Sequence, residues 1–232
     1  MTDTAPITCD LCVIGTGLAG MSAALFAADR GLSTVLVGRT GEIIFATGFL
    51  DLMGVHPLEA GTLWNDPWAA VAAVARDVPQ HPYARLPAAT IRAAFREVVD
   101  FFELQGLPYT GFPERNAAVL TAVGTVKLTY RVPVTMWGGV AARQDKTACL
   151  LVDIQGLKGF SARQIMATLG SAWPNLRTAR VVFPGTHPEG DVFPERLARS
   201  LETSGARADW AAVLEPHVQG AAAVGLPAGR EA

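Results

Sequence analysis

The sequence predicts an α/β fold that begins with a βαβ unit, and three observations support this class. An apolar run at Leu11–Ile14 is typical of a buried strand, the Ala- and Leu-rich residues 21–29 of a helix, and the β-branched residues 33–37 of a second strand. Gly31 lies where helices commonly end in the left-handed conformation. Residues 15–20, between strand and helix, read Gly-Thr-Gly-Leu-Ala-Gly. This order predicts a Rossmann-like FAD/NAD(P)-binding domain.

The glycine motif predicts where phosphates bind. Gly15 allows a sharp turn out of the strand, and Gly17 leaves the backbone bare so that it can approach a pyrophosphate. Gly20 lets the helix pack closely on the sheet. The N–H groups at the helix start, including those of Leu18 and Ala19, and the positive end of the helix dipole would then hold the phosphates. We therefore predict that these five residues bind the cofactor.

The end of the second predicted strand departs from the usual pattern. An acidic residue about 20 positions after the motif normally bonds the adenosine ribose, whereas this chain has Gly38-Arg39. Arg39 has three interpretations: a contact to the 2′-phosphate of NADP, a contact to a flavin phosphate, or a solvated cation. Thr47 and Gly48 follow in a segment that either returns beside the cofactor and donates hydrogen bonds to it or is a simple connecting loop.

Composition argues against several classes. The 232 residues are 50% hydrophobic and 17% charged, with a net charge of −2 and both signs mixed, so nothing indicates nucleic acid or an electrostatic membrane tether. No window approaches the roughly 18 apolar residues of a membrane span, and the polar N-terminus is unlike a signal peptide. The prediction is a cytoplasmic protein. Three cysteines do not make a disulfide framework or complete a metal site.

Three regions are predicted along the chain: the N-terminal part of the dinucleotide-binding domain at 1–55, a helical and β-hairpin region for substrate or cap at 56–146, and a second β-α-β region at 147–232. The predicted fold class is a Rossmann-like domain with an inserted or appended α+β domain. The middle region contains a helix capped by Asp66, an amphipathic helix ended by Gly106, a hairpin turning at Gly124-Thr125, and a loop at 136–145. The third region alternates predicted strands and helices up to residue 226.

Candidate substrate residues lie on the second strand of the hairpin and among the histidines. Alternation places Lys127, Thr129 and Arg131 on one face, which either binds a phosphate ester or faces water. A base for alcohol oxidation would come from the four histidines, which are His56, His81, His187 and His217. No Tyr-x-x-x-Lys pair of the short-chain reductases is present. We assign no catalytic residue from these patterns.

Several segments, taken in order, resemble the B-subunit family of anaerobic glycerol-3-phosphate dehydrogenase. They are GTGLAG, Gly38-Arg39, FATGFLDL, QHPYARL, LTAVGTVKLTY, LLVDIQGLKGFSARQI and RVVFPG. The resemblance implies a flavoprotein subunit carrying FMN or FAD that pairs with a larger FAD-bearing catalytic subunit. It also implies an iron–sulfur subunit that anchors the pair at the inner face of the cell membrane. The implied reaction oxidises sn-glycerol 3-phosphate to dihydroxyacetone phosphate and passes electrons to quinone.

The resemblance also implies roles for specific residues. Arg39, Thr47 and Gly48 become cofactor-side residues, and His81, in QHPYARL, becomes the histidine with the best family context. The family continues well beyond the last residue of this chain, so the resemblance implies a C-terminal truncation. Two alternatives stand beside it: an NAD(P)-dependent oxidoreductase, which Arg39 favours, and a non-catalytic interaction subunit that retains a nucleotide-binding fold.

Overall fold

A computed structural model describes residues 6–39, 47–187 and 190–227. The chain forms two compact units that divide after Thr47. The first unit holds the glycine motif, and the second holds the described residues from Gly48 onward. The sequence places its first boundary slightly later, after residue 55. The further boundary expected after residue 146 falls inside the second unit and stays a prediction.

The first unit has the predicted βαβ order, but the prediction of a buried first strand is wrong: Leu11 and Ile14 are exposed, because among the described residues this strand pairs with one other strand alone. Strand β1 (Leu11–Ile14) leads into helix α1 (Leu18–Asp29), and strand β2 (Thr34–Val37) pairs with β1 in parallel, with Leu11 opposite Thr34. Gly31 follows the helix with a φ of 74°, which confirms the left-handed stop. The helix begins earlier than predicted because Leu18 and Ala19, inside the glycine motif, already form its first turn.

The second unit opens with two helices. Helix α2 (Pro67–Asp77) begins as predicted, because the Asp66 carboxylate accepts hydrogen bonds from the backbone N–H groups of Trp68 and Ala69 at 2.8 and 2.9 Å. A 3₁₀ turn at Pro82–Arg85 leads to helix α3 (Ala88–Leu104). Gly106, with a φ of 78°, follows α3 as expected.

A hairpin and a further helix follow. The strands are β3 (Tyr109–Thr110), β4 (Ala117–Leu120), β5 (Val126–Thr129) and β6 (Val132–Pro133); β4 pairs with β5 and β3 with β6, both antiparallel. The predicted loop at 136–145 is wrong, since helix α4 (Val134–Asp145) occupies it. Gly138 and Gly139 lower the helix propensity there. Burial of Val140 and Ala142 against the hairpin and the neighbouring core outweighs that cost.

The last part of the second unit is a parallel sheet of three strands with helices between them. The elements are β7 (Cys149–Ile154), α5 (Ala162–Leu169), β8 (Leu176–Val181), α6 (Pro194–Ser200), α7 (Ser204–Leu214) and β9 (Ala223–Gly225). The strand order is β8-β7-β9, with β7 in the centre. Leu150 and Val152 of β7 are completely buried. The predicted strand–helix–strand order is present, and the extent of this region, 147–232, stays a prediction.

None of the helices in the described part of the chain combines the length and the hydropathy that a membrane crossing needs.

Candidate functional site

The turn between β1 and α1 has the backbone shape that the glycine motif predicts. Gly15 adopts a φ of 114°, a conformation that residues with a side chain rarely reach. Its N–H group donates to the carbonyl oxygen of Val37 at 2.7 Å. The turn is therefore fastened to the end of β2, and the two ends of the parallel strands lie side by side under it.

Gly20 brings the first turn of α1 against this loop. A Cβ atom added at Gly20 would collide with the carbonyl oxygen of Gly15 and lie 2.9 Å from its carbonyl carbon. Ordinary contact begins at about 3.4 Å, and the obstacle is backbone rather than a flexible side chain. A glycine is therefore required at position 20 for helix and turn to approach this closely.

Gly17 faces open space. It is the N-cap residue of α1, and a Cβ atom added there would meet nothing within 4 Å. No side chain caps the helix at this residue, and its first turn contains no acidic side chain. The first N–H groups of a helix have no partner within the helix, and they carry partial positive charge. A bare, uncapped helix start of this kind fits an anionic phosphate.

The end of β2 lies beside the same turn. The hydroxyl of Thr16 donates to the carbonyl oxygen of Arg39, and a Cβ atom added at Gly38 would lie 2.7 Å from the Cγ2 atom of Thr16. The side chain of Arg39 is exposed. The structure thus groups Arg39 with the five motif residues. Thr47, also exposed, is the last residue of the first unit.

Gly48 begins the second unit and is held by its own contacts there. It has a φ of 76°, and its carbonyl oxygen accepts a hydrogen bond from the Tyr109 hydroxyl at 2.8 Å. Burial raises the pKa of Tyr109, which keeps the hydroxyl protonated as a donor. The left-handed backbone explains why position 48 is a glycine, independently of any cofactor.

His81 is fixed in orientation by the backbone that follows it. Its Nδ1 atom accepts the N–H of Tyr83 at 3.1 Å, and the two rings pack with centroids 4.7 Å apart. Because Nδ1 is an acceptor, the neutral ring carries its proton on Nε2. In this state His81 offers a hydrogen-bond donor rather than a base. Tyr83 donates to the carbonyl oxygen of Leu52 at 2.8 Å, and burial, followed by the Asp51 carboxylate, raises its pKa.

The polar face of β5 is covered by the segment just after Gly48. The Lys127 ammonium lies 2.6 Å from a carboxylate oxygen of Asp51, and Leu50 forms a β-bridge with Arg131. Thr129, between the two cations, is 1% exposed. Strand β5 ends at Thr129, so Arg131 lies beyond the strand. Lys127 is paired with a carboxylate and Thr129 is buried, so these two residues do not form an open polar surface.

Arg131 also makes contacts within the protein. Its Nη1 atom donates to the carbonyl oxygens of Phe112 and Tyr130 at 3.0 and 2.9 Å, and its guanidinium lies 3.9 Å from the ring centroid of Tyr130. Sequence reasoning missed these partners and the Asp51 carboxylate. The alternation that revealed Lys127 and Arg131 gives no information on which distant segment covers them.

His56 is paired with an acidic residue that no sequence pattern predicted. The Nε2 atom of His56 lies 3.0 Å from a carboxylate oxygen of Asp77, and the guanidinium of Arg76 approaches the same carboxylate at 2.7 Å. Hydrogen bonds from Arg76 first, and from His56 second, hold the pKa of Asp77 below its usual range. No local pattern signals the pairing of His56 with Asp77, because the two residues are far apart in the chain.

An apolar cavity of about 60 Å³ lies at the carboxyl end of the parallel sheet in the second unit. Its walls come from the ends of the strands and the helices beside them, and they include Ile154, Phe183, Leu197 and Trp210. Among the described residues, no charged side chain lines it. The cavity therefore does not suit a phosphorylated polyol, which requires cationic partners.

The chain belongs to the FAD binding domain family, whose model matches residues 10–230. It is similar to the B subunit of the probable anaerobic glycerol-3-phosphate dehydrogenase of Halobacterium salinarum, with 36% identity over 183 residues, 77% of this chain and 40% of that protein. The corresponding B subunit of Vibrio vulnificus is 34% identical over 123 residues, 52% of this chain and 28% of that protein. That of Pectobacterium atrosepticum is 28% identical over 162 residues, 69% and 38% of the two chains.

The chain spans about two fifths, or less, of the length of these curated relatives. No solved structure matches it significantly. The family membership confirms the expectation of a flavoprotein of the oxidoreductase type with FAD as its cofactor. The residues present fit that group, since the bare backbone at Gly17 and the uncapped start of α1 suit a pyrophosphate.

Proposed function

We propose that this chain is the flavin-binding subunit of a membrane-associated anaerobic glycerol-3-phosphate dehydrogenase. The complex oxidises sn-glycerol 3-phosphate to dihydroxyacetone phosphate and passes the electrons to quinone. One observation carries the proposal: in a member of the FAD binding domain family, the βαβ turn leaves open space beside Gly17 at the uncapped start of α1.

The cofactor site is formed mainly by backbone. Gly15 sets the turn, Gly20 permits the close approach of the helix, and the N–H groups around Leu18 and Ala19 hold the phosphates. Arg39 would add a cation at the end of β2, and Thr47 and Gly48 are the other cofactor-side residues that we propose. Bound flavin supplies the two-electron acceptor that the oxidation of an alcohol requires.

The substrate contacts would come from the second unit. His81 would offer an N–H donor at Nε2, and positive charge would come from Lys127 on β5 and from Arg131 two residues after that strand. A phosphate ester would have to share Lys127 with Asp51 and Arg131 with two carbonyl groups. These three residues are the substrate positions that we propose, and we propose no catalytic base among the described residues.

The partners would be a catalytic FAD-bearing subunit and an iron–sulfur subunit that anchors the assembly. The chain would then be cytoplasmic and peripheral, held at the inner face of the membrane through that partner. The relatives are each designated as one lettered subunit of a dehydrogenase, which supports an assembly of this kind.

The visible absorption spectrum of the purified chain tests the proposal. We expect flavin bands, and extraction followed by mass determination should release FAD. A colourless protein that binds NADPH would instead support an NAD(P)-dependent oxidoreductase. A colourless protein that binds neither, yet purifies with a catalytic chain, would make this an interaction subunit. Alanine at His81, with Lys127→Gln as a separate variant, should raise the KM for glycerol 3-phosphate in the assembled complex.

A further inference from the structure

Position 38 is where the usual dinucleotide site places its ribose-binding acid. Strand β2 ends at Val37, and the next residue is Gly38 rather than Asp or Glu. The backbone conformation does not explain this glycine, because its φ lies outside the left-handed region that favours glycine. Another cause must keep a side chain away from this position.

That cause is Thr16, through its side chain and its backbone nitrogen. A Cβ atom at position 38 would lie 2.7 Å from the Cγ2 atom of Thr16 and 3.0 Å from both its Oγ1 and its backbone nitrogen. Thr16 cannot easily swing aside, because its hydroxyl donates to the carbonyl oxygen of Arg39 and because the N–H of neighbouring Gly15 is bonded to Val37. A side chain at position 38 would therefore displace Thr16 and strain its hydrogen bond to the carbonyl oxygen of Arg39.

We propose that Thr16 is a specificity-determining residue of the cofactor site. By obstructing a side chain at position 38, Thr16 disfavours the carboxylate that would otherwise bind the two neighbouring hydroxyl groups of the adenosine ribose. This inference rests on the proposed flavin-binding function. Position 38 then supplies no carboxylate to the cofactor, and the next residue is the exposed cation Arg39. Affinity for FAD at this site then comes from the contact between pyrophosphate and backbone, without a carboxylate at position 38 to recognise the adenosine ribose.

The test is a set of variants in the 232-residue chain: Gly38→Glu, Thr16→Ala, and the double variants of Thr16→Ala with Gly38→Glu or with Gly38→Gln. Amide hydrogen exchange of the peptides covering residues 11–20 reports the steric conflict without any ligand. We expect Gly38→Glu to accelerate exchange about tenfold or more. The Thr16→Ala/Gly38→Glu variant should return to within about twofold of Thr16→Ala alone.

Flavin titration supplies the second measurement, with FMN as a ligand that lacks the adenosine ribose. In the Thr16→Ala background, Gly38→Glu should bind FAD about tenfold more tightly than the isosteric Gly38→Gln, because a carboxylate now accepts from the ribose hydroxyls. The two variants should bind FMN with equal affinity. Equal FAD affinity for both would overturn the inference, as would Gly38→Glu exchange equal to wild type.

The two measurements distinguish failure of the proposed flavin-binding function from failure of the inference about Thr16. If the wild-type chain binds neither flavin while the exchange data follow the expected pattern, the proposed function fails and the exclusion of a side chain at 38 by Thr16 stands. If wild type binds flavin and Gly38→Glu behaves like wild type in both measurements, the inference about Thr16 fails and the flavin assignment stands.

Discussion

Two substitutions, Gly20→Ala and Gly17→Ala, should distinguish the effect of an added methyl group on the stability of the first unit from its effect on cofactor affinity. The added Cβ of Gly20→Ala lies 2.9 Å from the carbonyl carbon of Gly15 and meets its carbonyl oxygen, so helix and turn must part by at least about 0.5 Å to reach ordinary contact. Overpacking against backbone costs about 3 kcal/mol, the upper end of the usual range. Opening of the first unit should then become about 100-fold more frequent.

Gly17→Ala is the matched control, because the same added atom meets nothing within 4 Å and the φ of −73° suits alanine. Its cost to the helix start is about 0.5 kcal/mol. The methyl group nevertheless stands where the backbone would approach the phosphates, so FAD affinity should fall about tenfold or more. Only Gly20→Ala should lose both structure and affinity.

Hydrogen exchange of peptides within residues 11–37 measures the first unit, and flavin titration measures the site. All five tryptophans, at positions 64, 68, 137, 173 and 210, belong to the second unit, so their fluorescence shows whether a variant has disturbed the rest of the chain. The reasoning is refuted if Gly20→Ala exchanges like wild type, or if Gly17→Ala binds FAD with unchanged affinity.

Three further predictions address the other contacts and the cysteines. Tyr130→Phe removes a buried hydroxyl that donates to Pro113 at 2.8 Å and accepts from Trp68 at 3.3 Å, so urea unfolding followed by tryptophan fluorescence should show a loss of about 1–3 kcal/mol; an unchanged midpoint would contradict these bonds. The lowered pKa of Asp77 contributes stability above its ordinary titration near about pH 4, and this contribution is lost as the pH falls through the lower folded value. Asp77→Asn should therefore reduce the urea midpoint at pH 7 and have a smaller effect at pH 3, and an equal effect at both values would count against the interaction. Iodoacetamide at about pH 8 should label exposed Cys12 and spare Cys149, whose pKa is raised by burial, as mass spectrometry of the folded protein can determine; rapid labelling of Cys149 would show that its strand is not buried.

The elements that sequence patterns predict correctly are those set by local interactions. The βαβ unit, the Asp66 cap and the stops at Gly31 and Gly106 each depend on residues close to one another in the chain. Helix α4 does not follow from local propensity, because Gly138-Gly139 opposes it, and burial of Val140 and Ala142 against the hairpin and the neighbouring core stabilises it.

The same distinction applies to the candidate site. The glycine positions follow from the motif, since each role concerns the backbone of one turn. The partners of Lys127 and Arg131 do not follow from any local pattern, because Asp51 and Leu50 come from a segment far earlier in the chain. The conflict between Thr16 and Gly38 is likewise visible only once two strands have been placed side by side.

The bridge between Leu50 and Arg131 has a consequence for how the protein is made. The Thr129 hydroxyl, beside this bridge, bonds to Leu50 across a separation of 79 residues. A ribosome adding about 5–20 residues per second needs roughly 4–16 s to synthesise that interval. During this time the mostly apolar residues 49–52 have been translated, but strand β5, which later packs beside them, has not yet been synthesised. Nascent chains whose synthesis is halted between Leu50 and Thr129 should therefore bind holdase chaperones more strongly than chains halted beyond the hairpin.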